Sequence, residues 1–328
     1  MVNLISWILR EESVRLIPIL DRIVIILLRV VYVGSYAFVR LSLRLILGKK
    51  RRNIIFAEKK ITFNHQFDII PAYQFLRILS FIMKYVKSKN DLLLKITVPK
   101  YNYQAYCPVN KNDLIALTVR EDGIIEKFRP EAGSIVIDVG AHMGRYTIIA
   151  SKRVGPNGKV VAIEAHPSNF EILKRNIKLN NLNNITSLNC AAYSKEGRLK
   201  LHLRSGGLGY TMYSTVMSNR FETGRFMEVK ANTLDHLIES ERIPSEQIKW
   251  IKIDVEGAEL EVLKGANHIL TESNNISLLI EIHRLSGYIT LYESIRELLG
   301  MYNFRIEYEM VHESGERHII AQKQNNRE

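Results

Sequence analysis

The sequence predicts an α/β protein whose main part is a doubly wound, mostly parallel sheet ending in an antiparallel hairpin, preceded by a helical N-terminal arm. Three observations lead there. From Ile135 onward, short apolar runs alternate with helix-length segments, and these runs lack the polar alternation of half-exposed strands, as strands buried on both faces do. Acidic residues stand at the carboxyl ends of those runs, where ligands bind in such sheets. The first 60 residues are of another character, aliphatic and basic.

Residues 16–47 are dominated by aliphatics interrupted by single arginines. On a helix Arg15, Arg22, Arg29, Arg40 and Arg44 fall within a sector of roughly 60° and leave the remaining face apolar. Such a helix lies in a membrane interface, and "KKRR" at 49–52 favours the anionic cytoplasmic leaflet. A spanning helix is the rival, since only Arg29 is charged from Ile23 to Val39, and packing on the protein's own surface is the bland reading. No small-residue cleavage site follows a short apolar core, so no cleaved signal peptide is expected.

The chain carries a net charge of +12, which raises the question of nucleic acid. Residues 1–60 hold 12 Lys/Arg against 4 Asp/Glu, residues 61–132 hold 10 against 7, and the rest hold 24 against 23. The part with the motifs is close to neutral, so a nucleic-acid partner is not expected. Two cysteines, Cys107 and Cys190, are too few for a disulfide framework and point to a reducing, cytoplasmic setting.

These shifts divide the chain into the arm (1–60), a lead-in α/β subdomain (61–132) and the main domain (133–328). In the lead-in, residues 67–88 have helical spacing, and "LLLKITV" and "DLIALTV" read as strands. In the main domain "IVIDVG" precedes a helix over about 145–153, and "VVAIEA" precedes one that Ser168 can cap and that runs to about Asn180. "ITSLNC" is a third strand. After an insert of shorter strands, "WIKIDV" leads to a helix from about Gly257 to Gly265, and "ISLLIEIH" to one near 290–299. "FRIEYE" and "HIIAQK" pair as the terminal hairpin.

The chemistry sits at the strand ends. In "VIDVGAHMGRY", Gly140 and Gly144 let backbone approach a ligand and Asp138 offers a carboxylate. This is not a GxGxxG dinucleotide loop, because His142 stands at the second glycine. Glu164, 26 residues beyond Asp138, is placed to accept both hydroxyls of a ribose. In "IKIDVEGAE", Asp254 and Glu256 share the mouth of a buried strand, and the next strand ends at Glu281 and His283. Close carboxylates with a histidine are how a site obtains a base near neutrality. Glu256 also suits a helix cap, Glu259 reads as a solvated or packing residue, and His283 also fits a plain strand-end histidine; an Asp/Glu/His metal site is conceivable here, although no metal-ligand spacing is evident.

Together "VIDVGAHMGRYT", "VVAIEAHPSNFEILKRNIKLNNLNNI", "ANTLDHLI", "WIKIDVEGAELEVLKGA" and "LLIEIH" resemble the FkbM-type methyltransferase family over about Gly133 to Leu285. The resemblance implies a Rossmann-like methyltransferase fold, S-adenosylmethionine as cofactor, and methyl transfer to a hydroxyl oxygen of a sugar, glycan or lipid-linked acceptor. It implies that Asp138, Gly140, Ala141, His142 and Gly144 form the cofactor's methionine-side loop, with Tyr146 and Thr147 beside it. Glu164 would hold the ribose, while Ala165, Asn169, Cys190 and Ala191 would border the adenine, and Asp254 and Glu256 would face the methyl group and acceptor; for the transfer itself, Asp254 or His283 is expected to take the hydroxyl proton and Glu256 to orient the acceptor. The family usually has Asn where His142 stands and Pro where Ala165 stands. Three alternatives fit less well. A nucleic-acid methyltransferase would want a basic catalytic face and an Asn/Asp-Pro-Pro-aromatic loop. A non-catalytic membrane-associated nucleoside-binding protein would have little use for both Asp138 and Glu164, and His142 disfavours an NAD-dependent oxidoreductase.

Overall fold

The computed structural model describes residues 60–62, 93–108, 116–117, 121–203, 214–215, 226–283, 288–312 and 315–324. The membrane-associated arm expected at 1–60, and the helix expected over 67–88, lie outside the described residues, Lys60 apart. No helix among the described residues is long and apolar enough to cross a membrane.

The described residues fall into two compact units, one reaching Leu117 and one beginning at Glu121. In the first, β1 (Lys60–Thr62) runs parallel to β2 (Leu93–Val98), which pairs antiparallel with β3 (Tyr103–Pro108). Ile96, Ala105 and Cys107 are fully buried, and the Tyr103 hydroxyl donates to the Leu117 carbonyl. The segment "DLIALTV", expected as a strand, is helical at its two described residues, Ala116 and Leu117. A short apolar run does not reveal its period, and propensity alone chose wrongly there.

The second unit opens with α1 (Asp122–Ile125). β4 (Ile135–Val139) leads to α2 (Arg145–Val154), β5 (Lys159–Ile163) to α3 (Pro167–Leu179), and β6 (Ile185–Leu188) ends this half. An insert follows: β7 (Ala191–Ala192), β8 (Gly197–Leu203), β9 (Ser214–Thr215) and β10 (Phe226–Asn232), which form their own sheet in the order β7-β10-β8-β9. After α4 (Leu234–Ser240), β11 (Ile248–Ile253) leads to α5 (Glu259–Lys264) and α6 (Asn267–Glu272), and β12 (Ser277–Ile282) to α7 (Tyr288–Met301). β13 (Phe304–Val311) and β14 (Arg317–Lys323) make the terminal hairpin.

The main sheet has the order β13-β14-β12-β11-β4-β5-β6. β4, β5, β6, β11 and β12 are mutually parallel, and β14 is antiparallel to both its neighbours. The chain winds outward from β4 through β5 to β6, then returns to β4's other side as β11 and β12. The strand order therefore reverses between β4 and β11, where open α/β sheets form their ligand crevice. This is the Rossmann-like arrangement, a mostly parallel sheet with an antiparallel hairpin at one edge, that the resemblance implies.

Strand burial follows from composition. Ile137, Val161, Ile251, Ile253, Leu278 and Ile280 are at most 1% exposed and join one core cluster with Val262, Leu263 and Ile269 from the helices. Each such side chain stabilises the fold by about 1.5–3 kcal/mol relative to exposure. Two boundaries differ from expectation. Helix α3 begins at Pro167 and is capped by His166, whose Nδ1 accepts from the Ser168 backbone N–H at 3.2 Å, instead of by Ser168 itself. Proline at the first helical position moves the start back, because its missing N–H costs nothing there. The third strand ends at Leu188, short of Cys190, and Ala191 has already crossed to the second sheet.

Candidate active site

Two strand-to-helix turns meet at the switch point. After β4, Gly140, His142 and Gly144 have φ of 77°, 52° and 95°; after β11, Glu256 and Gly257 have φ of 58° and 107°. Left-handed backbone is unfavourable for a residue with a side chain, so His142 and Glu256 are held by their surroundings. A Cβ on Gly140 would overlap the Asp254 carbonyl oxygen. The two loops thus touch backbone to backbone, with the Asp254 N–H donating to the Val139 carbonyl at 3.1 Å.

On the β4–β5 side, Asp138 is 1% exposed and accepts from the Thr147 hydroxyl at 2.5 Å. Its other oxygen lies 3.4 Å from the Lys252 ammonium. Glu164 is also buried; its two oxygens accept the His142 and His166 backbone N–H groups, each at 2.8 Å, and Asn169 Nδ2 approaches at 3.4 Å. Burial pushes the Glu164 carboxyl up to about 7, although those donors and Lys252 favour its charge. Asn169 Oδ1 is buried with no hydrogen-bond partner. Ala165 and Ala191 pack together with Leu201, Val229 and Ala231, beside the half-buried Cys190. The expected donor-side residues therefore converge. Tyr146 faces the protein interior, its hydroxyl donating to Glu121 at 3.0 Å, and burial followed by that carboxylate holds its phenol well above the usual range.

On the β11–β12 side, His283 is 1% exposed and ringed by carboxylates. Its Nδ1 pairs with Glu259 at 2.9 Å, and its Nε2 lies 3.7 Å from Asp254, 3.6 Å from Glu256 and 3.7 Å from Glu281. Burial opposes charge on the ring, but Glu256, Glu259 and Glu281 outweigh it and hold His283 well above its ordinary value. Of the two carboxylates at the strand mouth, Asp254 is 26% exposed at its side chain and Glu256 15%, so both can meet a ligand while Glu259 and Glu281 cannot.

The cluster extends across the sheet. His318 on β14 lies opposite Glu281 in register, 3.4 Å from its carboxylate and 3.8 Å from Glu121. Burial lowers its proton affinity, and the two glutamates more than restore it, to about 9. Asp254, Glu256 and His283, and separately Glu121, Glu281 and His318, bring three potential ligand atoms within 4.8 Å. In each group the histidine faces carboxylates within ion-pair distance.

Reading the sequence missed four members of this site. Glu259, read as solvated or packing, is completely buried and also accepts the Gly257 N–H at 2.9 Å. Lys252 was hidden in an apolar strand, though its place two residues before Asp254 puts both on one face. Glu121 and His318 carry no local signal, since only tertiary pairing brings them in.

The Methyltransferase FkbM domain family matches residues 138–306. Among curated relatives, the chain is 29% identical to Methyltransferase sdnD of Sordaria araneosa, over 40% of this chain and 60% of that protein. It is 30% identical to the Hexuronic acid methyltransferase AglP of Haloferax volcanii, over 47% of this chain and 57% of that one. The match thus spans less than two thirds of either relative's length. A SAM dependent methyltransferase from Aquifex aeolicus aligns in structure over 63% of this chain and 91% of its own, with a TM-score of 0.38 and 16% identity. With its match over half the sequence, the chain belongs to the FkbM methyltransferase family.

Proposed function

We propose that the protein transfers a methyl group from S-adenosylmethionine to a hydroxyl oxygen of a sugar, glycan or lipid-linked acceptor. The observation that carries this reading is the placing of two partly exposed carboxylates, Asp254 and Glu256, at the end of β11, directly against the turn that follows β4. The donor fits the residues present. A nucleoside presents hydroxyl and N–H donors, and Glu164 together with the unpartnered Asn169 Oδ1 supplies buried acceptors at the end of β5. No phosphate-binding loop is needed for such a ligand.

The donor supplies an electrophilic methyl on a positively charged sulfur. The chain's own part is alignment and proton removal. Glu164 accepts the ribose hydroxyls, Asn169, Ala165, Cys190 and Ala191 border the base, and the Asp138–Gly144 turn lines the methionine side. Asp254 takes the acceptor hydroxyl's proton as the oxygen accepts the methyl, and Glu256 orients the acceptor. Of Asp254 and His283 as candidate bases, the geometry favours Asp254, because its carboxylate is partly exposed while His283 is buried among carboxylates that favour its charged form. His283 then acts as the cation that keeps Asp254 and Glu256 together.

A sugar acceptor is supported by the hexuronic acid named for AglP and by the hydroxyl chemistry that a carboxylate base suits. The aliphatic, basic composition of residues 16–52 supports a lipid-linked form at the cytoplasmic face of a membrane. Calorimetry with S-adenosylmethionine and NAD side by side tests the donor, with binding of the first alone expected. A labelled-methyl screen over sugar and glycolipid extracts tests the acceptor. Label appearing only in nucleic acid would overturn the reading, and full-length protein that stays in the supernatant at low salt without detergent would remove the membrane part.

A further inference from the structure

Lys252 is the one lysine on β11 that points into the switch point, and it is 4% exposed. Its ammonium donates to the Gly140 carbonyl at 2.9 Å and lies 3.4 Å from Asp138 and 3.3 Å from Asp254. It also sits 5.3 Å from the centre of the Tyr146 ring. These partners belong to the donor-side strand, the donor-side turn, the donor-side helix and the acceptor-side strand end. We infer that Lys252 is a positioning residue for the methyl transfer, tying the donor-side loop to the acceptor-side carboxylate and keeping Asp254 both oriented and charged. This rests on the reading of Asp254 as the base.

Stability does not account for such a residue. Replacing a buried ion pair by apolar side chains of similar volume is often neutral or stabilising, because desolvating the charges costs as much as their attraction returns. What an apolar residue cannot do is hold two carboxylates and a carbonyl oxygen at fixed distances. Two carboxylates on adjacent parallel strands repel, and the closer they are the more one of them tends to take up a proton. A protonated Asp254 cannot receive the acceptor's hydroxyl proton. An ammonium between Asp138 and Asp254 removes that tendency on both sides at once, and its short bond to Gly140 sets the turn that would carry the donor.

The groups facing Asp254 include Lys252 on the strand that precedes it, Glu256 in the following turn and His283 just beyond β12. Those facing Lys252 are Asp138 on β4 and Tyr146 on α2, with Glu121 and Glu281 acting at longer range. Lys252 touches both a donor-side and an acceptor-side carboxylate, Asp138 and Asp254. Its charge is secured in turn: burial alone would lower its proton affinity, and Asp254 and Asp138 reverse this and raise it above the ordinary lysine value.

The test is a titration of the folded protein that requires neither donor nor acceptor, so it can fail while methyl transfer stands, or succeed while the acceptor reading fails. Carboxyl-labelled aspartate is incorporated, the Asp254 resonance is assigned by its loss in Asp254→Asn, and its titration is followed in the wild type, Lys252→Met and Lys252→Arg. The midpoint is expected to rise by at least one pH unit in Lys252→Met and to return most of the way in Lys252→Arg. A merely structural lysine would leave it in place, and a change smaller than about 0.3 unit would overturn the inference. Should Lys252→Met not fold, the Lys252 side-chain nitrogen of the wild type decides: an ammonium persisting above pH 11 supports the bridge, and one lost below pH 10 refutes it.

Discussion

The two halves of the site hold buried charge in opposite ways. On the β5 side Glu164 accepts from neutral donors, two backbone N–H groups and an amide, with Lys252 acting at longer range, and burial still pushes it to about 7. On the β11–β12 side carboxylates and cations alternate, Asp254 against Lys252 and His283, Glu281 against His283 and His318. The first arrangement leaves a carboxylate whose charge is stabilised further by a ligand that brings hydroxyl donors. The second sets opposite charges against one another before anything binds. A binding residue profits from being incompletely satisfied, whereas a reacting residue profits from being in one state only.

The largest effect expected from breaking this contrast is at the reacting side. Asp254→Asn keeps the shape but cannot take a proton, and kcat should fall by about 10²- to 10⁴-fold while calorimetry with S-adenosylhomocysteine shows affinity within about threefold of wild type. Next comes the backbone contact between the halves. Gly140→Ala meets the Asp254 carbonyl and adopts φ of 77° with a side chain, so urea unfolding should show a loss of about 3 kcal/mol or more.

Glu164→Gln sharpens the comparison, because binding and stability should move in opposite directions. Loss of charge-assisted bonds to the ligand should cost about ten- to a hundredfold in S-adenosylhomocysteine affinity. The wild-type carboxyl is raised from about 4.5 to about 7 on folding, so ionising it opposes folding as pH rises through that window. The variant should therefore unfold like wild type below pH 4.5 and be more stable by up to about 3 kcal/mol above pH 7. The smallest effect is at the far edge of the charged network. His318 is raised to about 9 on folding, so its stabilisation is complete below pH 6.5 and lost as pH rises through 9. In His318→Gln the decline of unfolding free energy between those pH values should be shallower by about 1–3 kcal/mol.

Much of this could be read from the chain. The apolar runs ending in Asp138, Glu164, Asp254 and His283 became the strands β4, β5, β11 and β12, and the terminal hairpin formed where expected. Such runs are legible because a strand buried on both faces must be apolar along its whole length, so an acid can stand only at its end. Boundaries were less legible. His166 caps α3 through a ring nitrogen, which no residue preference for caps would single out, and "DLIALTV" carried no period that separates a strand from a helix.

By itself the sequence determined which runs are buried strands and which residues stand at their mouths, since both follow from the local rule that buried backbone needs apolar neighbours and ligands need exposed ends. Only the tertiary structure decided the charge states. Lys252, Glu259, Glu121 and His318 acquire their meaning from partners as much as 197 positions away, Glu121 meeting His318, and electrostatic energy depends on distance in space and on burial, neither of which is written along the chain.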